Sequence, residues 1–255
     1  MECSKILVQG SKHIEDRVCE DAAAFIQPEE QIVIAAVSDG CSNAKLSDIG
    51  SSMVVKSFLD VFSDYRILTQ YIKDDNNLKN MKYGDIIKSL ITEPEKEALC
   101  VSILLSSIRR NIIRFLETTG CDYSVLSSTF IGVIVFNQIG MIFHVGDGFV
   151  SSISGKKIDI VSEPDNFLSK NITHFITSPD AEEHLRITRI NHFDRLMLST
   201  DGLTKLFDIK NPLHVKKIIQ ISKKNSELQN FIKAIHDQFY DDCGIVLITH
   251  HNTLF

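Results

Sequence analysis

Three Asp-Gly pairs in this chain each follow an apolar run. Asp39-Gly40 comes after Ile32 to Val37, Asp147-Gly148 after Met141 to Val145, and Asp201-Gly202 after Leu196 to Leu198. Two more acidic pairs stand where apolar runs begin, Glu20-Asp21 before Ala22 and Asp241-Asp242 before Cys243. Carboxylates brought within ~5 Å of one another repel strongly unless they are protonated or share a cation. Hard divalent ions such as magnesium and manganese prefer such oxygen ligands. A glycine after the aspartate also lets backbone approach an ion closely. The chemistry these residues could do is therefore metal-assisted.

A local reading competes. Asp-Gly is the favoured two-residue hairpin turn. It fits Asp147-Gly148, which has strand-like residues on both sides, so a hairpin is expected there. Asp39 and Asp201 lead instead into helical or mixed segments. Glu20-Asp21 and Asp241-Asp242, each alone, read as solvated loop charges. Taken together, all five lie at strand ends, and a sheet could gather several at one edge.

The elements that must position them follow from periodicity. Lys5 to Gln9, Ala22 to Ile26 and Gln31 to Val37 read as strands. Ile49, Met53, Val54, Phe58, Val61 and Phe62 recur at helical spacing, opening a helix near Ser47. Residues 74–80 read as a polar loop. Val101, Leu104, Leu105, Ile108, Ile112 and Leu116 mark a second helix, with Gly120 as its stop. Thr129 to Phe136 and Gly140 to Val145 flank a hairpin turn at Asn137-Gln138-Ile139, and Phe149 to Ile153 and Lys157 to Val161 flank another at Ser154-Gly155-Lys156. Arg195 to Ser199 is a strand, Pro212 to Phe239 a long helical region, and Cys243 to Thr249 the last strand. Helices do not alternate with strands. This order favours antiparallel sheets with helices packed outside over a parallel doubly wound sheet.

Composition narrows the function. At 255 residues, 44% hydrophobic and 24% charged, the chain reads as one globular domain, 1–255, with a core that needs no staples. A net charge of −6 does not suit a nucleic-acid or anionic-membrane binder. No stretch approaches the ~20 apolar residues of a membrane helix. The cysteines, Cys3, Cys19, Cys41, Cys100, Cys121 and Cys243, form no Cys-x-x-Cys pair and read as reduced thiols of a cytoplasmic protein. No cysteine has an arginine six positions on, no Asp-x-Asp pair follows a strand, and no Gly-x-Ser-x-Gly elbow or NTPase-type phosphate loop occurs. His144, inside a strand pattern, reads as a packed or hydrogen-bonded histidine, and His250-His251 as tail.

The order of motifs resembles the type 2C metal-dependent protein phosphatases over nearly the whole chain. Cys19-Glu20-Asp21-Ala22 looks like the family's early Glu-Asp motif and Val37-Ser38-Asp39-Gly40-Cys41-Ser42 like its Asp-Gly metal motif. Ser128-Thr129-Phe130, Val145-Gly146-Asp147-Gly148, Leu198-Ser199-Thr200-Asp201-Gly202-Leu203 and Asp241-Asp242-Cys243-Gly244-Ile245-Val246 resemble the four motifs that follow. The fold the resemblance implies is α+β, a four-layer α-β-β-α sandwich with two antiparallel sheets flanked by helix pairs.

The resemblance also implies roles. Asp39 would bridge two divalent cations, manganese or magnesium, and the Gly40 carbonyl would add a ligand. Asp201 and Asp241 would complete the set, Glu20 and Asp21 would act through bound waters, and Asp147 would share a third, weaker ion with Asp201. Asp39, Asp201 and Asp241 would carry catalysis. Paired cations make hydroxide available near neutral pH for in-line attack on phosphorus. The implied substrate is a phosphoserine or phosphothreonine protein, with a cognate kinase as the opposing partner.

Three departures stand out. Cys41 occupies the place of a histidine common in animal members. Arg17 is the candidate phosphate-binding arginine, one residue short of the usual offset, with His13 able to share the role. Asp242 replaces the usual asparagine. The non-enzyme alternatives are a pseudophosphatase that binds phosphoproteins without turnover, and a sensor whose metal cluster is structural. Loss of Asp39, Asp201 or Asp241 would mark the pseudophosphatase, and none is lost.

Overall fold

The computed structural model describes residues 1–13, 18–155, 157–165, 173–206, 211–221 and 225–250. Its strands are β1 (Glu2–Val8), β2 (Ala22–Glu29), β3 (Ile32–Ser38), β4 (Phe130–Phe136), β5 (Ile139–Val145), β6 (Phe149–Ser154), β7 (Lys157–Ser162), β8 (Arg186–Asn191), β9 (Arg195–Ser199) and β10 (Cys243–Thr249). Its helices are α1 (Ser47–Ser63), α2 (Tyr65–Ile72), α3 (Tyr83–Thr92), α4 (Glu97–Thr119), α5 (Ala181–His184), α6 (Gly202–Leu206), α7 (Pro212–Ile221) and α8 (Asn225–Ala234).

The strands form two five-stranded antiparallel sheets, ordered β1-β10-β9-β6-β7 and β2-β3-β4-β5-β8. Strand residues point alternately to opposite faces, so a strand buried on both sides reads as an unbroken apolar run. β3 is such a strand. Val33, Ala35 and Val37 pack with Leu196, Leu198, Val246 and Ile248 between the sheets. Ile32, Ile34 and Ala36 face the outer layer formed by α1 to α4. On the far side, Met197, Ile245 and Leu247 meet Ile218, Leu228 and Ile232 of α7 and α8. Helices, sheet, sheet and helices make the expected four layers.

The apolar stripe of α1 is fixed by aromatic contacts. Phe58 lies 5.1 Å from Phe62, 5.3 Å from Phe130 and 5.7 Å from Phe143, ring centre to ring centre. Tilted and edge-on pairs at such distances add to the gain from burial. Truncating Phe58 to alanine would cost about 3–5 kcal/mol. α4 ends where Gly120 takes a left-handed conformation, φ 71°, as its position suggested.

Several expectations need correction. Asp147-Gly148 is not a hairpin turn: β5 and β6 belong to different sheets, and the pair lies where the chain crosses between them. The turn after β4 is only Asn137-Gln138, with Asn137 at φ 54°, and Ile139 already belongs to β5. Two helices were expected between β3 and β4, yet α2 and α3 are also present. The α3 residues Ile86, Ile87, Leu90 and Ile91 are buried in the outer layer, so this helix is part of the core. β8 was missed. The long region from Pro212 consists of α7 and α8 followed by a 3-10 turn, His236–Gln238. β2 carries Pro28, which an edge strand tolerates beside the pairing shift between Ile26 and Glu29.

His144 is fully buried, with Nδ1 2.6 Å from Ser162 Oγ, consistent with a packed, hydrogen-bonded residue. All six cysteines are free thiols. Among the described residues no helix is long and apolar enough to cross a membrane.

Candidate metal centre

Strand ends from both sheets converge on one cleft. Asp39 leaves β3, Asp201 leaves β9, Asp147 sits in the crossover from β5 to β6, and Asp241 precedes β10. One carboxylate oxygen from each of Asp39, Asp147 and Asp201 lies within 4.8 Å of the others. Asp241 lines the same cleft, of about 540 Å³, without joining that group of three. Its Oδ1 accepts from the Asp242 N–H at 3.1 Å.

The backbone around Asp39 is tied to β4. The Asp39 N–H donates to Thr129 Oγ1 at 3.0 Å, and the Thr129 N–H donates back to the Asp39 carbonyl at 2.9 Å. Gly40 is pressed so close that an added Cβ would lie 2.6 Å from the Glu20 carbonyl oxygen and 2.8 Å from that of Ser47. A glycine is needed there for the turn to nest against the start of α1. Ser51 of α1 donates to the Glu20 carbonyl at 2.6 Å, holding the Glu20-Asp21 pair.

Asp21 is buried beside Asp39. Its Oδ2 accepts from Thr200 Oγ1 at 2.6 Å, and the Thr200 hydroxyl accepts in turn from the Gly244 N–H at 2.8 Å. Asp21 Oδ1 meets no donor group among the described residues. Asp147 Oδ2 accepts from Thr173 Oγ1 at 3.0 Å. Glu20 is also buried. Its N–H donates to Asp242 Oδ2 at 2.5 Å, while Asp242 Oδ1 accepts from the Gly10 N–H at 2.8 Å. Asp242, read as a substituted asparagine, thus joins three chain segments. Neither Glu20 nor Asp21 belongs to the group of three.

Among the described residues, the electrostatics are those of a site short of positive charge. Burial holds the Asp39 carboxyl well above the ordinary range, and the charges of Asp21, Asp201 and Asp147 add to the shift. Burial likewise raises Asp21, partly offset by the Thr200 hydroxyl. Desolvated carboxylates at this spacing favour either protons or a cation. The oxygen-rich donor set and the unsatisfied Asp21 Oδ1 fit a hard divalent ion.

Arg17 lies outside the described residues. His13 ends the 3-10 turn Ser11–His13, and its side chain is likewise outside them. Thr173 and Phe175 line the cleft, and Lys12, Ser42 and Thr200 touch the site or its carboxylates without a role foreseen for them. Thr200 stood inside a motif already singled out, but nothing local shows which way a hydroxyl turns. Lys12 carried no signal beyond its charge.

Comparison with known proteins bears on this geometry. A bacterial serine phosphatase shares 15% identity at a TM-score of 0.68, with all of both chains covered. The serine/threonine phosphatase Stp1 from Staphylococcus aureus shares 16% at 0.64, with 98% of this chain and 95% of that one covered. The catalytic domain of the serine/threonine protein phosphatase PstP, solved with two manganese ions, shares 13% at 0.61, with 96% of each chain covered. At these identities the likeness shows the fold. Curated proteins give no significant match. The family model described as protein phosphatase 2C matches residues 9–235. On that match, which takes in most of the sequence and the carboxylates of Asp39, Asp147 and Asp201, the chain belongs to the protein phosphatase 2C family of phosphoprotein phosphatases.

Proposed function

We propose that residues 1–255 act as one domain that hydrolyses phosphoserine and phosphothreonine esters of proteins with the help of two divalent cations, manganese or magnesium. The observation that carries this reading is the meeting of Asp39, Asp147 and Asp201 from separate strand ends in an open cleft. Asp39, Asp201, Asp241 and the Gly40 carbonyl would hold the ions, with Glu20 and Asp21 acting through water and Asp147 serving a weaker third position. Divalent ions at such a site supply Lewis acidity, acidifying a water and neutralising phosphoryl charge.

The chain's own residues do the rest. Thr200 fixes the orientation of Asp21 by donating to one of its oxygens, which leaves the other for the cation site. Thr129 fixes the Asp39 backbone. The mutual repulsion of the buried carboxylates favours a cation among them. The cleft, with Phe175 and Asn43 in its wall, is open to solvent, which leaves room for a phosphorylated side chain. Cys41 lines the cleft and receives no chemical role here.

Hydrolysis of a phosphothreonine peptide tests the reading, run with manganese, with magnesium and with chelator. Turnover should need metal and should vanish in Asp39→Ala and in Asp201→Ala. Near-normal activity in both variants would remove the site assignment. A folded, metal-loaded protein inactive on several phosphopeptides would favour the phosphoprotein-binding alternative.

A further inference from the structure

We propose that Lys12 anchors the phosphoryl group of the substrate beside the carboxylates, an inference that rests on the phosphatase reading above. Among the described residues that line the cleft, Asp39, Asp147, Asp201 and Asp241 are acidic and Lys12 is the one cation. Its Nζ donates to Ser42 Oγ at 2.7 Å and stands 3.8 Å from Asp241 Oδ2, beyond hydrogen-bond range. An ammonium has three donors. Two of those on Lys12 have no hydrogen-bond partner among the described residues.

The placement of Lys12 is built by the chain around it. Gly10 donates to Asp242, Ser11 to the Phe239 carbonyl at 2.9 Å, and the Lys12 N–H to the Tyr240 carbonyl at 3.0 Å. Gly10 also lies so close to the Asp241 backbone that no Cβ would fit. These contacts fasten the Gly10-Ser11-Lys12 segment against the residues that lead into Asp241.

Pairing with Asp241 does not account for this. A part-exposed ion pair at 3.8 Å contributes little. It would not need the Ser42 hydroxyl, which steers the ammonium along the cleft wall. A phosphomonoester entering a cleft of four carboxylates needs positive charge from the protein as well as from metal. A lysine with uncommitted donors supplies it as a point charge. The sequence motifs pointed to Arg17 and His13 for this task, and Lys12 is distinct from both.

The test uses the full chain loaded with manganese and compares wild type, Lys12→Met and Lys12→Arg. Calorimetry would measure binding of inorganic phosphate and, separately, of manganese. Kinetics on a phosphothreonine peptide would give KM and kcat. Lys12→Met should weaken phosphate binding and raise KM by about tenfold or more, the scale of one hydrogen bond to a charged group. Its kcat should fall less, and its manganese affinity should change by less than about twofold, since an exposed pair is weak. Lys12→Arg should recover most of the loss, which also guards against a folding defect in Lys12→Met.

Unchanged phosphate binding and KM in Lys12→Met would overturn the proposal, as would a wild type that binds no phosphate. Tighter manganese binding with KM unchanged would overturn it too, by showing Lys12 to be only a counter-charge for Asp241. The phosphate titration needs no turnover. An inactive wild type would therefore count against the phosphatase reading, while the titration still decided the role of Lys12.

Discussion

The hydroxyl of Thr200 donates to Asp21 Oδ2 at 2.6 Å, linking residues 179 positions apart in the chain. The same hydroxyl accepts from the Gly244 N–H. Of its two acceptors the carboxylate at 2.6 Å is much nearer than the Gly244 carbonyl at 3.4 Å, which favours a proton turned toward Asp21. Thr200 thereby sets which oxygen of Asp21 is bonded and which has no donor among the described residues.

Replacing Thr200 with valine removes that donor at nearly constant volume. Manganese affinity, measured by calorimetry, should fall by about 10-fold or more, as for other outer partners of metal ligands. Thr200→Ser should restore it. An unchanged affinity in Thr200→Val would show that Asp21 needs no orienting.

Asp39→Asn should abolish turnover and yet stabilise the metal-free protein. Folding raises the Asp39 pKa, so the folded state favours the protonated acid. Its contribution to stability is then present below the unfolded value of about 4 and is lost as pH rises through the folded value. Asparagine does not ionise. In chelator, thermal melts should show the variant above wild type at pH 8, by roughly 2–4 °C for each kcal/mol relieved, with the gap closing toward pH 4. Comparing the two proteins cancels buried His144, whose depressed pKa acts the opposite way, costing stability as pH falls below its ordinary value. A gap that widens toward acid would contradict the electrostatic account.

Asp242→Ala should unfold in less urea than wild type. The Gly10 and Glu20 N–H groups would both lose a charged acceptor, for a combined cost of about 2–5 kcal/mol. Asp242→Asn keeps one carbonyl oxygen and should recover part of this. Equal stability of all three proteins would mean that water replaces the carboxylate at no cost.

Cys41→Ser should retain most of the wild-type turnover. The thiol lines the cleft, and its backbone N–H is held by the Ser127 carbonyl at 2.9 Å whatever the side chain. A loss as deep as that of Asp39→Ala would give Cys41 a part in the chemistry.

The sequence carried the layers and the strand-end acids because both leave local marks. β3 and β4, buried on two faces, show as apolar runs, and Asp39 and Asp201 stand at the ends of such runs. β8 left no such mark. As an edge strand, Arg186–Asn191 is half-buried along most of its length and shows little contrast between its faces. Asp147 misled because Asp-Gly between two strands looks the same whether the chain turns back or crosses to another sheet. Thr200, Asp242 and Lys12 owe their places to partners more than 25 residues away in sequence, by hydrogen bonds that spacing does not encode.

Asp39 hangs from one sheet, Asp201 from the other, and Asp147 from the strap of chain between them. An ion gripped by all three would be a rivet through the sandwich. Sliding one sheet past the other by a single residue step, about 3.3 Å, would tear the grip apart. Resistance to shear and affinity for metal are then one quantity, and amide protons deep in β3 and β9 should gain protection together as the ion binds.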